Sequence, residues 1–145
     1  MQEKYLYLII PLAVTIVIQL IKIILDLTKG KFSWKSLTEY GGMPSGHTAL
    51  IVSLTTLIAL DLGVTNIFFA MSFILTILII RDAVGLRRFL ADHGKAINAL
   101  VKDLPDDLEY KYKIQEEQIG HTSWEVLAGA LISIILTYSF YKFFI

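Results

Sequence analysis

The sequence predicts an all-α fold, a polytopic membrane helix bundle with about four transmembrane helices plus one amphipathic helix. Three observations lead there. Of 145 residues, 55% are hydrophobic, and they are bunched into long runs rather than spread along amphipathic stripes. Two of the runs, Tyr5 to Leu25 and Val126 to Ile145, are long enough to cross a bilayer core of about 30 Å. The charged residues gather mainly in two segments between the runs, 26–43 and 81–123. Length points to a single integral membrane domain, residues 1–145, with a polar insertion at about 82–120.

The elements follow in order. Met1 to Leu25 resembles a secretory signal at first sight, but its apolar part is too long and lacks a small-x-small cleavage pattern, so it reads as a retained span. Thr48 to Leu62 and Val64 to Ile80 are shorter runs meeting at Asp61, Gly63 and Asn66, which predicts a helical hairpin crossing twice. Leu86, Leu90, Ile97, Leu100, Val101 and Leu104 then recur at three- and four-residue intervals, the pattern of an amphipathic helix that Pro105 ends. Such a helix suits the membrane surface or a cap over the bundle mouth. Leu108 to Gln118 is charged and is expected to be helical or mobile, and Val126 to Ile145 closes the bundle.

Composition excludes several chemistries. There is no cysteine, which removes thiol catalysis, thiolate metal sites and disulfides. Thirteen basic residues balance thirteen acidic ones, so no cationic excess is available for a nucleic-acid partner. The cations are nevertheless lopsided. Lys29, Lys31, Lys35, Arg81, Arg87, Arg88, Lys95, Lys102, Lys111 and Lys113 lie in the two polar segments, and only Lys4 and Lys142 flank the other ends. The positive-inside rule puts those segments in the cytoplasm, with the cell membrane as the expected location.

Two histidines stand at helix starts. Gly41-Gly42-Met43-Pro44-Ser45-Gly46-His47 opens one apolar run; its Ser45-Gly46 backbone and helix dipole would attract an anion beside His47. An ordinary cap with an interfacial histidine fits equally well. Gly120-His121-Thr122-Ser123-Trp124-Glu125 opens the last run. Thr122 and Glu125 have capping-box spacing, while Glu125 is also four residues from His121 and could orient a nucleophilic or basic imidazole. Lys22 is an ionisable residue inside a span, which either snorkels or serves a site. Arg87 and Arg88 offer guanidinium forks suited to phosphate oxygens. His93, near the amphipathic stripe, reads as packing or surface.

These motifs together resemble the divergent branch of the type-2 phosphatidic acid phosphatase superfamily, which also includes vanadium-dependent haloperoxidases. The resemblance runs from about Gln19 to Gly129 and rests on Gly-Gly-Met-Pro-Ser-Gly-His, Asp-Ala-x-Gly-x-Arg-Arg and Gly-His-x-x-x-Glu-Val-x-x-Gly. It implies a membrane phosphatase acting on a phosphate monoester or diphosphate of a lipid. His121 matches the superfamily's nucleophile, which forms a phosphohistidine, and His47 matches its general acid. Lys22 and Lys29 have the spacing of its first phosphate-binding motif, with Lys for Arg and Gly30 for Pro. In the third motif Gln115 stands where the pattern has arginine and Glu125 where it has aspartate, so Arg87 and Arg88 become candidates for the missing guanidinium. No metal or other cofactor is implied, since cationic side chains and helix dipoles supply the positive charge. Nothing in the residues indicates peroxide chemistry. The alternative is a non-catalytic protein that binds or transports an anionic lipid or phosphate with the same residues. Four spans make a thin wall around such a site, which a homodimer would thicken.

Overall fold

The structure, a computed structural model, describes residues 5–28, 30, 43–104, 111–115, 117 and 120–144. Its helices are α1 (Leu6–Thr28), α2 (Gly46–Leu62), α3 (Ile67–Arg81), α4 (Arg87–Lys102) and α5 (Ser123–Phe144), with a π-helical segment at Asp82–Leu86 between α3 and α4. The fold is all-α, as the apolar runs predict. Three helical stretches are long and apolar enough to cross a membrane, and α2, with 17 residues, is a shorter apolar helix.

α2 is the hub, packing against α1, α3 and α5, while α1 also meets α5. Ile10, Val14 and Ile18 of α1 bury against Ala49 and Leu57 of α2, with Ile132 and Leu136 of α5 alongside. The outer helices are inverted relative to a soluble bundle. α3 buries Ser72 and Thr76 and turns Phe68, Met71, Phe73, Ile74, Ile77 and Leu78 outward. In water such a surface would far exceed the apolar patch of a soluble monomer; against hydrocarbon chains it costs nothing. This distribution supports the membrane reading independently of helix length.

Hydroxyl groups and small residues hold the helices together. Ser133 donates to the Ala49 carbonyl at 3.0 Å, and Thr137 donates to Ser53 at 2.6 Å. Thr55 and Thr76 join α2 to α3 at 2.8 Å. Interhelical bonds of this kind contribute about 0.6 kcal/mol each on average. The seam begins where Gly129 meets the backbone of Ser45. Gly129, Ser133 and Thr137 thus face Ser45, Ala49 and Ser53 in steps of four, a small-residue seam between two parallel helices. Both N-termini therefore lie at the same end of the bundle.

One expectation changes in detail. The amphipathic helix is present, but it is not a separate element: residues Ile67–Lys102 run as one continuous helix. No proline interrupts this stretch, and single glycines at 85 and 94 do not stop a helix. α4 buries Ala91, Gly94 and Asn98 and leaves Phe89, Leu90, Ile97 and Leu100 outward. Asn98 clamps the chain ahead of α5. Its amide donates to the Gln115 carbonyl at 2.9 Å and to Glu117 at 2.7 Å, and its oxygen accepts from the Gln115 N–H at 2.8 Å.

The seam is testable through two glycines. A Cβ at Gly129 would lie 2.8 Å from the Ser45 carbonyl oxygen, whereas a Cβ at Gly85 would meet nothing. Gly129→Ala should destabilise the detergent-solubilised protein by about 1–3 kcal/mol, read as a lowered Tm. Gly85→Ala should leave Tm unchanged or raise it slightly. Equal effects at both positions would contradict the seam.

Candidate active site

The parallel seam brings two helix N-termini together with the C-terminal ends of α1 and α3. At α2, Ser45 is the N-cap: its Oγ accepts from the Thr48 N–H at 3.4 Å and from the Thr48 hydroxyl at 3.0 Å. Its own N–H donates to the Glu125 carbonyl of α5 at 3.2 Å. Ser45 is fully buried, with both its hydroxyl and its N–H engaged inside the protein. Gly46 follows at the first turn, and His47 faces outward at the mouth.

At α5, Thr122 and Glu125 form the capping box that their spacing predicts. The Thr122 N–H donates to Glu125 Oε2 at 2.9 Å, and the Glu125 N–H donates to Thr122 Oγ1 at 3.3 Å. The same Oε2 lies 3.3 Å from His121 Nδ1. Capping and ring orientation, alternatives in the sequence, coexist on one carboxylate oxygen. With Nδ1 turned to a carboxylate, Nε2 is the ring nitrogen left to carry a lone pair.

His121 is only 5% exposed, and its N–H donates to the Ala83 carbonyl at 3.1 Å. That carbonyl belongs to the π-helical segment, where the Arg87 N–H reaches back five residues to Asp82. Gly120 packs on the backbone of Arg88, where a Cβ would sit 2.9 Å from its N and Cα. The loop carrying His121 is thus laid directly on the α3–α4 helix.

The π turn also sorts the two arginines. In an α-helix of about 3.6 residues per turn, positions five apart point in different directions. Here the wider turn lets Arg87 Nε donate to Asp82 Oδ2 at 2.7 Å, which fixes the guanidinium at the mouth. Among the described residues, Arg87, Asp82 and His121 act electrostatically on His47. Arg88 is exposed and acts on neither histidine. Lys22, buried at 7% exposure, acts on His121.

Burial pushes the His121 imidazole below its ordinary value of 6.5. The hydrogen bond and charge of Glu125 oppose that shift, while Lys22 and Arg87 add to it. Burial and the two nearby cations thus favour the neutral ring. A groove of about 420 Å³ leads away from this place, with His47, Asp82 and Arg87 at one end and walls that include Leu8, Leu12, Leu50 and Leu54. Among the described residues, no three His, Asp or Glu side chains are grouped to hold a metal ion.

The structure thus brings Lys22, His47, Arg87, His121 and Glu125 to one end of the bundle. Lys29 lies outside the described residues. Asp82, Gly120 and Gly129 are the participants that residue-by-residue reading passed over. Asp82 carried no signal, since a five-residue spacing parts two side chains on an ordinary helix; the glycines flank His121 and Glu125 in the motif already quoted.

Comparison with known proteins now bears on this arrangement. A profile described as the divergent PAP2 family matches residues 3–136. The chain belongs to the divergent PAP2 family. A relative within reach, the uncharacterized membrane protein YuiD of Bacillus subtilis (strain 168), is 36% identical over 92% of each chain. No solved structure matches. Family membership bears out the motif resemblance, and the helices agree with a PAP2-like integral membrane protein.

The charge arrangement around the nucleophile candidate can be read directly. In histidine NMR of the protein in micelles, His121 should titrate with a midpoint below 6.5. Glu125→Gln should lower that midpoint further, and Lys22→Met should raise it. Because the unfolded chain takes up the proton first, His121 stabilises the fold above 6.5, and this contribution is lost as pH falls through the folded midpoint. A midpoint above 6.5 would overturn the assignment.

Proposed function

We propose that this divergent PAP2 protein is a membrane phosphatase that hydrolyses a phosphate monoester or diphosphate of a lipid. One observation carries the reading: a buried neutral imidazole, His121, is oriented through Nδ1 by Glu125 and faces the fields of Lys22 and Arg87 beside a second histidine. Two parallel helix N-termini add their positive ends at the same place.

In the proposed reaction Lys22 and Arg87 hold the phosphoryl oxygens while Asp82 keeps the Arg87 fork in position. His121 Nε2 attacks phosphorus and a P–N bond forms as the P–O bond to the lipid breaks. His47 gives its proton to the departing oxygen, releasing the alcohol or the shorter phosphate. The developing imidazolium is stabilised by Glu125 through Nδ1. Water then attacks the phosphohistidine, His47 accepts its proton, and inorganic phosphate leaves with His121 restored. The cationic groups are preorganised, so they stabilise the transition state without reorganising.

The second reading, an anionic-lipid binder without turnover, draws on Gln115 in place of the superfamily's arginine. Phosphate release from lipid phosphates and diphosphates by the purified protein separates the two. His121→Ala should abolish release, and His47→Ala should lower it by about 10²–10⁴-fold. Arg87→Ala should cost about 10²–10³-fold, while Arg88→Ala should leave release nearly unchanged. Absence of release from every substrate, or equal losses at the two arginines, would contradict the mechanism.

We also propose that the mouth faces the cytoplasm, on the lysine and arginine asymmetry of the loops. Since the chain has no cysteine, single replacements report orientation cleanly. Lys102→Cys should be labelled only from the cytoplasmic side, and Val64→Cys, in the exposed α2–α3 turn, only from outside. The opposite pattern would invert the topology.

A further inference from the structure

The groove beside the histidines has a shape that the proposed chemistry does not require. It runs along the first turns of α2, from His47 past Leu50 to Leu54, and is walled by the N-terminal half of α1. From His47 to Leu54 the helix rise alone spans about 10 Å. The charged lining residues, Asp82 and Arg87, stand with His47 at one end. Tyr7 lies at the other end, where its hydroxyl donates to Asp61 near the close of α2. That bond ties the first turn of α1 to the last turn of α2. It therefore shuts the groove lengthwise.

A cleft within a bilayer is filled by hydrocarbon, because water there finds no partners and an empty cleft forfeits dispersion contacts. The occupant with a reason to be aligned is one whose anionic end meets Arg87 and His47 while its chain follows the leucines. The volume of about 420 Å³ sits in the lower part of the range for ligand pockets, about 300–1,000 Å³, and suits one chain. We infer that this groove seats a single hydrocarbon tail of the phosphorylated lipid, and that Tyr7, braced by Asp61, is its end wall and sets the tail length accepted. The inference rests on the lipid-phosphatase reading above. Since the tail comes from hydrocarbon rather than from water, the groove contributes alignment and selectivity more than affinity.

An alkyl phosphonate with a photoreactive diazirine at the tail end tests the groove without turnover, in nanodiscs holding the full chain. After irradiation, a dodecyl probe should label near Leu12 and Leu50, and an octadecyl probe nearer Tyr7 and Leu8. Leu54→Trp, or Leu12→Trp at the more exposed wall, should cut groove labelling several-fold. Ile74→Trp, on the outward face of α3 and outside the groove, should leave both groove labelling and release from short-chain alkyl phosphates unchanged. Tyr7→Ala should raise turnover of longer-tailed substrates relative to short-tailed ones several-fold. Labelling spread evenly over the outward residues Ile74 and Leu78 of α3, and indifferent to either tryptophan, would overturn the groove. Groove labelling by a protein that releases no phosphate would instead overturn the phosphatase reading and leave the tail site standing.

Discussion

The close approach of Gly129 to the Ser45 backbone governs the rest of the molecule. A Cβ at Gly129 would stand 2.8 Å from the Ser45 carbonyl oxygen, so only a glycine lets α5 come this near. The approach permits the Ser45 N–H to bond the Glu125 carbonyl, and it starts the register continued by Ser133 on Ala49 and Thr137 on Ser53. Glu125 then serves both histidine-bearing ends. Its carbonyl anchors the start of α2, and its carboxylate caps α5 and orients His121. The geometry of the candidate site and the membrane helix packing are one structure here.

The other half of the site comes from a single change of helical pitch. The π turn at Asp82–Leu86 swings Arg87 onto Asp82, and the Ala83 carbonyl within it takes the His121 N–H. Gly120 rests on the Arg88 backbone one turn further on. In this chain a guanidinium from the α3–α4 helix stands beside the nucleophile candidate, whereas the superfamily's third motif carries its arginine in the same segment as the histidine. Gln115, at the motif's arginine position, is instead part of the Asn98 clamp that ties its segment to α4.

Much of this was legible in the sequence, and what was not has physical reasons. The apolar runs gave the spans because bilayer thickness sets helix length directly. The capping box at Thr122 and Glu125 was legible because it is local, set by three residues of spacing. Choosing Arg87 over Arg88 was not, since neighbours on an ordinary helix differ by about 100° and the π turn alters that angle. Continuity of α3 with α4 was hidden by the abrupt change from apolar to polar composition. The structural weight of Gly129 depends on an atom 84 residues away in sequence, beyond the reach of periodicity. Ser45 read as a phosphate contact or as a cap; its hydroxyl is the cap and its N–H belongs to the seam.

The account centres on His121 as the phosphoryl-accepting group, kept neutral by burial and aimed by Glu125. The most direct measurement is rapid quench of the protein turning over a phosphorus-labelled lipid diphosphate, followed by peptide mapping under alkaline conditions that preserve phosphohistidine. The account predicts phosphate on the His121 peptide during steady state, linked through the ring nitrogen remote from Glu125, and none in His121→Ala. Product formation with no phosphoenzyme, or with the phosphate on His47 or another residue, would contradict it.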